Sequence, residues 1–319
     1  MSYCFEDVLN NRNLHDHEFT LLEKLQLLIS AVDQGYEAAE LYIREVLLPD
    51  VIRVNFSGGR TSAYLCMLIK KYNLPVVFVY MDTGAEHPKT YDFIKQVDKF
   101  LDLNLTVIQG VFDTPLGKGN NYKTVHVESL KWDLSIWQGM MQKYSTPYFK
   151  GEFCTDRMKT GIVKAWDRNV YGTDLPCILG IRADEPRRLK LQNNIIHMGH
   201  LFPEVEKQDI LDWWEEQPFN LEIPEHLGNC VFCIKKNPKK VALAIKDEPE
   251  LYREFSELLR CPLIRKAPNE RQQDIMYRGH LGLDGIAYLY ATEDREELKD
   301  RIGKEIDTNN CSESCEAFQ

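Results

Sequence analysis

Apolar residues recur at helical spacing between Asp16 and Leu48: Leu21, Leu22, Leu25, Leu27, Leu28 and Ile29, then Ala38, Leu41, Ile43 and Val46. Gly35 interrupts the series, which predicts two helices forming a helical lead-in over residues 1–48. The rhythm then changes. Val51–Phe56 is a short β-branched run that stops at Ser57-Gly58-Gly59, and Thr61–Tyr72 carries Ala63, Leu65, Met67, Leu68 and Ile69 at helical positions. Pro75–Met81 reads as a strand, Pro88–Leu101 as a helix, Leu105–Ile108 as a third strand and Cys177–Ile181 as a later one. Strands that are apolar almost throughout, alternating with helices, predict an α/β fold with a doubly wound, mainly parallel sheet covered on both faces. That domain is expected over residues 49–200, with helices and loops across 113–174. Residues 201–319 read as mainly helical, with helices over Lys207–Glu216 and Lys239–Leu259, then a polar tail ending in Cys311 and Cys315.

Composition narrows the class. The 319 residues are 44% hydrophobic and 28% charged, as in an ordinary folded protein. No apolar run approaches the roughly 20 residues of a membrane helix, and the first residues lack a secretion leader, so the expectation is a cytoplasmic protein with no membrane partner. A net charge of −10 excludes a surface built throughout for phosphate backbones. Two basic clusters remain, Arg182/Arg187/Arg188/Lys190 and Lys235/Lys236/Lys239/Lys240, each either a solvated face or a local anion site.

The junction at Ser57-Gly58-Gly59-Arg60-Thr61-Ser62 carries the chemistry. Glycines let the chain turn tightly and bring main-chain N–H groups against an anion. The helix that follows adds unpaired donors and a partial positive charge. Ser57, Thr61 and Ser62 supply hydroxyls, and Arg60 can grip two phosphate oxygens at once. The pattern is neither the Gly-x-x-x-x-Gly-Lys phosphate loop nor the Gly-x-Gly-x-x-Gly dinucleotide fingerprint.

With its flanking strand and helix, the hexad resembles the PP-loop of the N-type ATP pyrophosphatases and phosphoadenosine phosphosulfate (PAPS) reductases, whose usual form is Ser-Gly-Gly-Lys-Asp-Ser. Arg60 and Thr61 are departures, of which the arginine keeps the charge. Further segments resemble that family in order: Met81-Asp82-Thr83-Gly84 with His87-Pro88-Lys89-Thr90, Cys154-Thr155-Asp156-Arg157-Met158-Lys159, Gly180-Ile181-Arg182-Ala183-Asp184-Glu185-Pro186-Arg187-Arg188, and Phe202-Pro203 with Trp213-Trp214. The likeness spans residues 51–234. It implies an adenine nucleotide, of ATP or adenylyl sulfate type, held by residues 57–62. Asp82 would face its adenosine part, and Arg182, Arg187 and Arg188 would neutralise phosphate or sulfate from the opposite side. The alternative for the arginines is an ion-pair network with Asp184 and Glu185.

Cys230 and Cys233 form a Cys-x-x-Cys turn whose sulfurs can share one metal centre. Cys154 is a candidate third ligand, and Cys315 leads Cys261 and Cys311 as the fourth. The resemblance implies a 4Fe–4S cluster; a structural zinc, a redox dithiol and thiols without a common site stay open. In the reductases a C-terminal cysteine attacks the sulfonate within Glu-Cys-Gly-x-His, which here is reduced to Glu313-Ser314-Cys315-Glu316. The C-terminal cysteines are nucleophile or ligands, not both with the same sulfur, and the leading reading is a sulfonucleotide reductase with Arg60, Arg182 and Cys315 in the reaction and a thioredoxin-like reductant. One alternative is an ATP pyrophosphatase that adenylates an acceptor, including a nucleic-acid base; another is a non-catalytic nucleotide sensor. A homo-oligomer is compatible with each.

Overall fold

A computed structural model of the chain describes residues 19–192, 194–266 and 275–304. Helix α1 (Leu21–Gln34) opens with a reciprocal cap between Thr20 and Glu23 and ends at Gly35, which takes the left-handed conformation. Helix α2 (Glu37–Tyr42) follows and runs into one π-helical turn, Ile43–Leu47. The break falls at Gly35, where the periodicity placed it.

The sheet contains β1 (Ile52–Phe56), β2 (Val76–Asp82), β3 (Thr106–Val111), β4 (Asn121–Val125), β5 (Cys177–Leu179) and β6 (Ile195–His197). Between them lie α3 (Arg60–Lys71), α4 (Pro88–Leu101), α5 (Ser135–Tyr144) and α6 (Gly161–Tyr171). Across the sheet the order is β4-β3-β2-β1-β5-β6, and every neighbouring pair is parallel except β3 with β4. The fold is a doubly wound α/β sheet, mostly parallel as the alternation predicted. Two strands escaped the sequence reading. β4 is a half-exposed edge of mixed polarity, and β6 has only three residues, so neither offers a sustained apolar run.

The C-terminal part adds α7 (Met198–Leu201), α8 (Lys207–Glu215), α9 (Pro238–Asp247), α10 (Pro249–Leu259), α11 (Leu283–Leu289) and α12 (Arg295–Lys304). The single helix expected over 239–259 is two helices. Pro249 drives Glu248 out of the helical region, to φ −127° and ψ 65°, and breaks the run. Two main cores form. One packs α1, α3 and α4 against the sheet and reaches Trp214 and Leu221; the other joins α5 and Cys154 to residues 227–234 and to helices α9–α12. A buried ion pair, Arg53 with Asp167, pins β1 to α6, and Arg53 Nε also donates to Asn55 Oδ1 at 2.9 Å. Among the described residues no helix is long and apolar enough to cross a membrane.

Candidate functional site

From β1 the chain winds one way, through β2 to β3, whereas β5 and β6 lie on the other side of β1. The loops after β1 and β5 therefore diverge at the carboxyl edge of the sheet, the place where open α/β sheets bind ligands. A cavity of about 420 Å³ lies there, within the range of small-molecule sites. Its lining includes all six residues from Ser57 to Ser62, Tyr80, Met81 and Glu86 after β2, Arg182, Glu185 and Arg188 after β5, and a covering segment from Leu221 to Asn229.

The loop's geometry follows from its small residues. Gly58 sits at φ 82°, a left-handed conformation that strains other residues, and a Cβ there would lie 2.9 Å from the side-chain end of Ile94, so the turn favours glycine. Ser57 N–H donates to Ser62 Oγ at 3.1 Å, and the two hydroxyls lie 2.9 Å apart, closing the turn. Gly59 starts α3 with no side chain capping it. That leaves the first-turn N–H groups and the dipole of a 12-residue helix toward an anion. Trp214 Nε1 donates to Arg60 O at 3.1 Å and anchors the helix start from behind.

Arg60 lines the cavity, but its guanidinium is engaged: Nε donates to Asn220 Oδ1 at 2.8 Å, and Nη2 donates to the carbonyl of Leu221. Burial lowers its pKa. Arg182 pairs with Asp184 at 2.7 Å and Glu185 at 2.8 Å, and its Nη1 reaches Thr61 Oγ1 at 3.4 Å. Arg188 pairs with the same Glu185. The arginines thus form an ion-pair network at the cavity edge, two of them lining it, while Arg187 is exposed outside it. Asp82, the last residue of β2, is not among the residues lining the cavity. Its buried carboxylate accepts from Gly84 N–H at 2.8 Å, Tyr91 OH at 3.0 Å and Gln109 Nε2 at 2.7 Å, and burial raises its pKa against those bonds. In this geometry Asp82 holds the β2 loop in place.

Sequence reasoning missed the cavity floor. Asn55 Nδ2, Tyr80 OH, Glu86 Oε2 and Thr90 Oγ1 are buried without a hydrogen-bond partner in the protein, and all four residues line the cavity. Each such atom costs about 1–3 kcal/mol unless something pairs with it. Only the polar residues within apolar runs, Asn55 in β1 and Tyr80 in β2, could have signalled this.

The expected thiol set comes together in part. Cys154, Cys230 and Cys233 line one small cavity of about 10 Å³ with Thr83, Trp137 and Lys159. Trp137 Nε1 is a buried donor with no partner there. Among the described residues no group of three or more His, Cys, Asp or Glu is arranged as a metal site, and Cys315 and Cys311 lie outside the described residues. Cys154, Cys230 and Cys233 are the described residues of the expected thiol set, gathered at one cavity of about a single water's volume. Two lysines of the second basic cluster, Lys236 and Lys240, are buried rather than solvated. Lys236 is buried and donates to the carbonyls of His226, Cys230 and Val231 at 2.8, 3.0 and 3.0 Å, fixing the Cys-x-x-Cys turn; Lys240 is buried against Glu225.

The two cavities share Lys159. Between them stands Glu86, whose Oε1 lies 3.7 Å from Cys230 Sγ. Burial raises the Glu86 pKa, opposed by Lys159 and Lys236.

Comparison with known proteins agrees with this geometry. The chain is 45% identical over 274 residues to the uncharacterized nin region protein ORF290 of Escherichia phage lambda, covering 83% of this chain and 94% of that one. A shorter stretch of 59 residues is 39% identical to the uncharacterized protein MJ0973 of Methanocaldococcus jannaschii, covering 18% of this chain and 14% of that one. The model of the phosphoadenosine phosphosulfate reductase domain matches residues 51–227, from β1 through the covering segment. A loop, a strand order and a cavity that coincide with that span make this chain a member of the PAPS reductase family.

Proposed function

We propose that the chain is an enzyme that binds an adenine nucleotide with its phosphates on residues 57–62 and reduces a sulfonucleotide. The observation that carries the nucleotide is the cavity itself: an uncapped helix start at a switch point, above four buried polar atoms that the protein leaves unpaired. Main-chain N–H groups from Gly58 to Ser62 hold the phosphate, with the Ser57, Thr61 and Ser62 hydroxyls beside them. Arg182 and Arg188 add positive charge across the cavity, screened by Glu185. Arg60 holds the covering segment down and contributes charge at the loop.

The reaction needs a thiolate, assigned to Cys315. Its sulfur attacks the sulfonate sulfur; an S–S bond forms as the S–O bond to phosphate breaks, and the nucleoside phosphate leaves with the electron pair. A dithiol of thioredoxin type then attacks the enzyme's cysteine sulfur, releasing sulfite and finishing as a disulfide after internal exchange. Sulfur gains the two electrons that the dithiol loses. Cys154, Cys230, Cys233 and a fourth cysteine are the residues that would hold an iron–sulfur cluster, or zinc in its place. Such a centre would supply an electrostatic field beside the nucleotide cavity.

A second reading rests on one observation. Among the described residues lining the nucleotide cavity there is no cysteine, whereas Lys159, Lys207, Arg60, Arg182 and Arg188 all line it. That set suits cleavage of ATP between the α and β phosphates, with adenylation of an acceptor. The test is to give purified protein adenylyl sulfate or PAPS with a dithiol reductant, and ATP in parallel. Sulfite release that disappears in Cys315→Ser supports reduction. AMP and pyrophosphate from ATP, with no sulfite from either sulfonucleotide, replaces it by the second reading. Ligand-stabilised melting without turnover leaves a sensor.

A further inference from the structure

Four unpaired polar atoms on the cavity floor differ in what they can bind. Asn55 Nδ2 only donates, and the Tyr80 and Thr90 hydroxyls can donate or accept, but a carboxylate oxygen accepts. Glu86 Oε2 is the acceptor of the set, on a side chain 3% exposed that lines the cavity.

Glu86 is held in position along its backbone from several sides. Its own N–H donates to Tyr91 OH at 3.2 Å, and Tyr91 in turn donates to Asp82. The backbone of Glu86 pairs with that of Cys230 in an isolated antiparallel bridge, and Val231 N–H donates to Ala85 O at 2.9 Å. Its Oε1 lies 3.7 Å from Cys230 Sγ. Only Oε2 is left over, fixed in place and half of a hydrogen bond.

Phosphate and sulfate oxygens are acceptors and cannot complete it. On an adenosine nucleotide the donors are the ribose hydroxyls and the exocyclic amine. They lie at the end of the ligand away from the phosphates, as Glu86 lies in the loop after β2 and the phosphate loop follows β1. We propose that Glu86 reads a donor on the nucleoside and is a specificity-determining residue of this cavity. The inference rests on the nucleotide reading above and deepens it, since it selects among nucleotides independently of the reaction that follows.

AMP, shared by either reaction as product or product analogue, is the probe. Calorimetry on the full chain would compare AMP with 2′-deoxy-AMP, 3′-deoxy-AMP and IMP, on native protein and on Glu86→Met, with melting curves to confirm folding. The expectation is a loss of about tenfold for Glu86→Met and a similar loss for one analogue on native protein. The two losses should not add, because they remove the same bond. Glu86→Gln, which can still present a carbonyl oxygen, should retain most of the affinity. Which analogue fails identifies hydroxyl or amine as the donor. If native protein binds AMP and all three analogues alike, or Glu86→Met binds AMP as tightly as native protein, the proposal is overturned. The native analogue series decides it even if the variant does not fold. No AMP binding at all would remove the nucleotide reading first, and this inference with it.

Discussion

Around the nucleotide cavity the protein leaves four polar atoms buried and unpaired, lines about 420 Å³ of space and rims it with charged side chains held in an ion-pair network. Around the thiol cavity, only a few ångströms beyond Glu86, the space is about 10 Å³, the Trp137 N–H is the unpaired polar atom among the lining residues, and the nearby Lys236 ammonium meets three carbonyls. The first region carries its unpaired polar groups at a cost in stability, a cost that a bound ligand would offset. The second is closed, so anything it holds is built in as the chain folds. Placing them side by side separates two tasks: loading a soluble nucleotide, and keeping a set of thiols at a fixed distance from it.

The comparison breaks most visibly at Lys236. Replacing it by methionine strips the turn's carbonyls of their shared donor, and we expect a loss of roughly 2–4 kcal/mol in unfolding free energy by urea titration. Affinity for AMP in the molecules that remain folded should change little. A large loss of AMP affinity at unchanged stability would mean that the closed region is part of the ligand site. Gly58→Ala acts in the other direction. Its left-handed φ and the Ile94 contact should cost roughly 1–2 kcal/mol of stability and weaken AMP by about tenfold or more, because the loop N–H groups shift. Unaltered binding would detach the loop from the ligand. The smallest effect on the nucleotide is expected from Cys233→Ala, with AMP affinity within about twofold of native by calorimetry. If a cluster is present, its visible absorbance should vanish in the same variant; zinc would instead appear as one metal lost by elemental analysis.

Much of this was legible beforehand because it rests on periodicity and glycine. The run Val51–Phe56 and the stop at Ser57-Gly58-Gly59 placed β1 and the loop, and Pro88–Leu101 was delimited as a helix at both ends. The join of α9 and α10 was missed although Pro249 marked it, since the apolar spacing continues through Glu248. The side chains facing the cavity were harder to read. Arg60 by its charge and Asp82 by the family resemblance were expected at the ligand, and the fold also gives them protein partners at Asn220, Leu221, Tyr91 and Gln109. Those partners lie up to 161 positions away, and no local pattern encodes them. Glu86 and Asn55 carried no motif of their own, and Thr90 stood at the end of the segment His87-Pro88-Lys89-Thr90 with no sign that it faces a cavity. What marks them is an atom that the finished structure fails to pair, a property of three-dimensional packing alone.

On the function proposed above, main-chain amides at the junction of β1 and α3 hold the ligand's phosphate. The decisive experiment is a crystal of the full chain soaked with AMP. The 5′-phosphate should lie within hydrogen-bond reach of the N–H groups of residues 58–62, with the nucleoside extending toward Glu86. A phosphate bound elsewhere on the chain, or a junction left empty at saturating AMP, would contradict it.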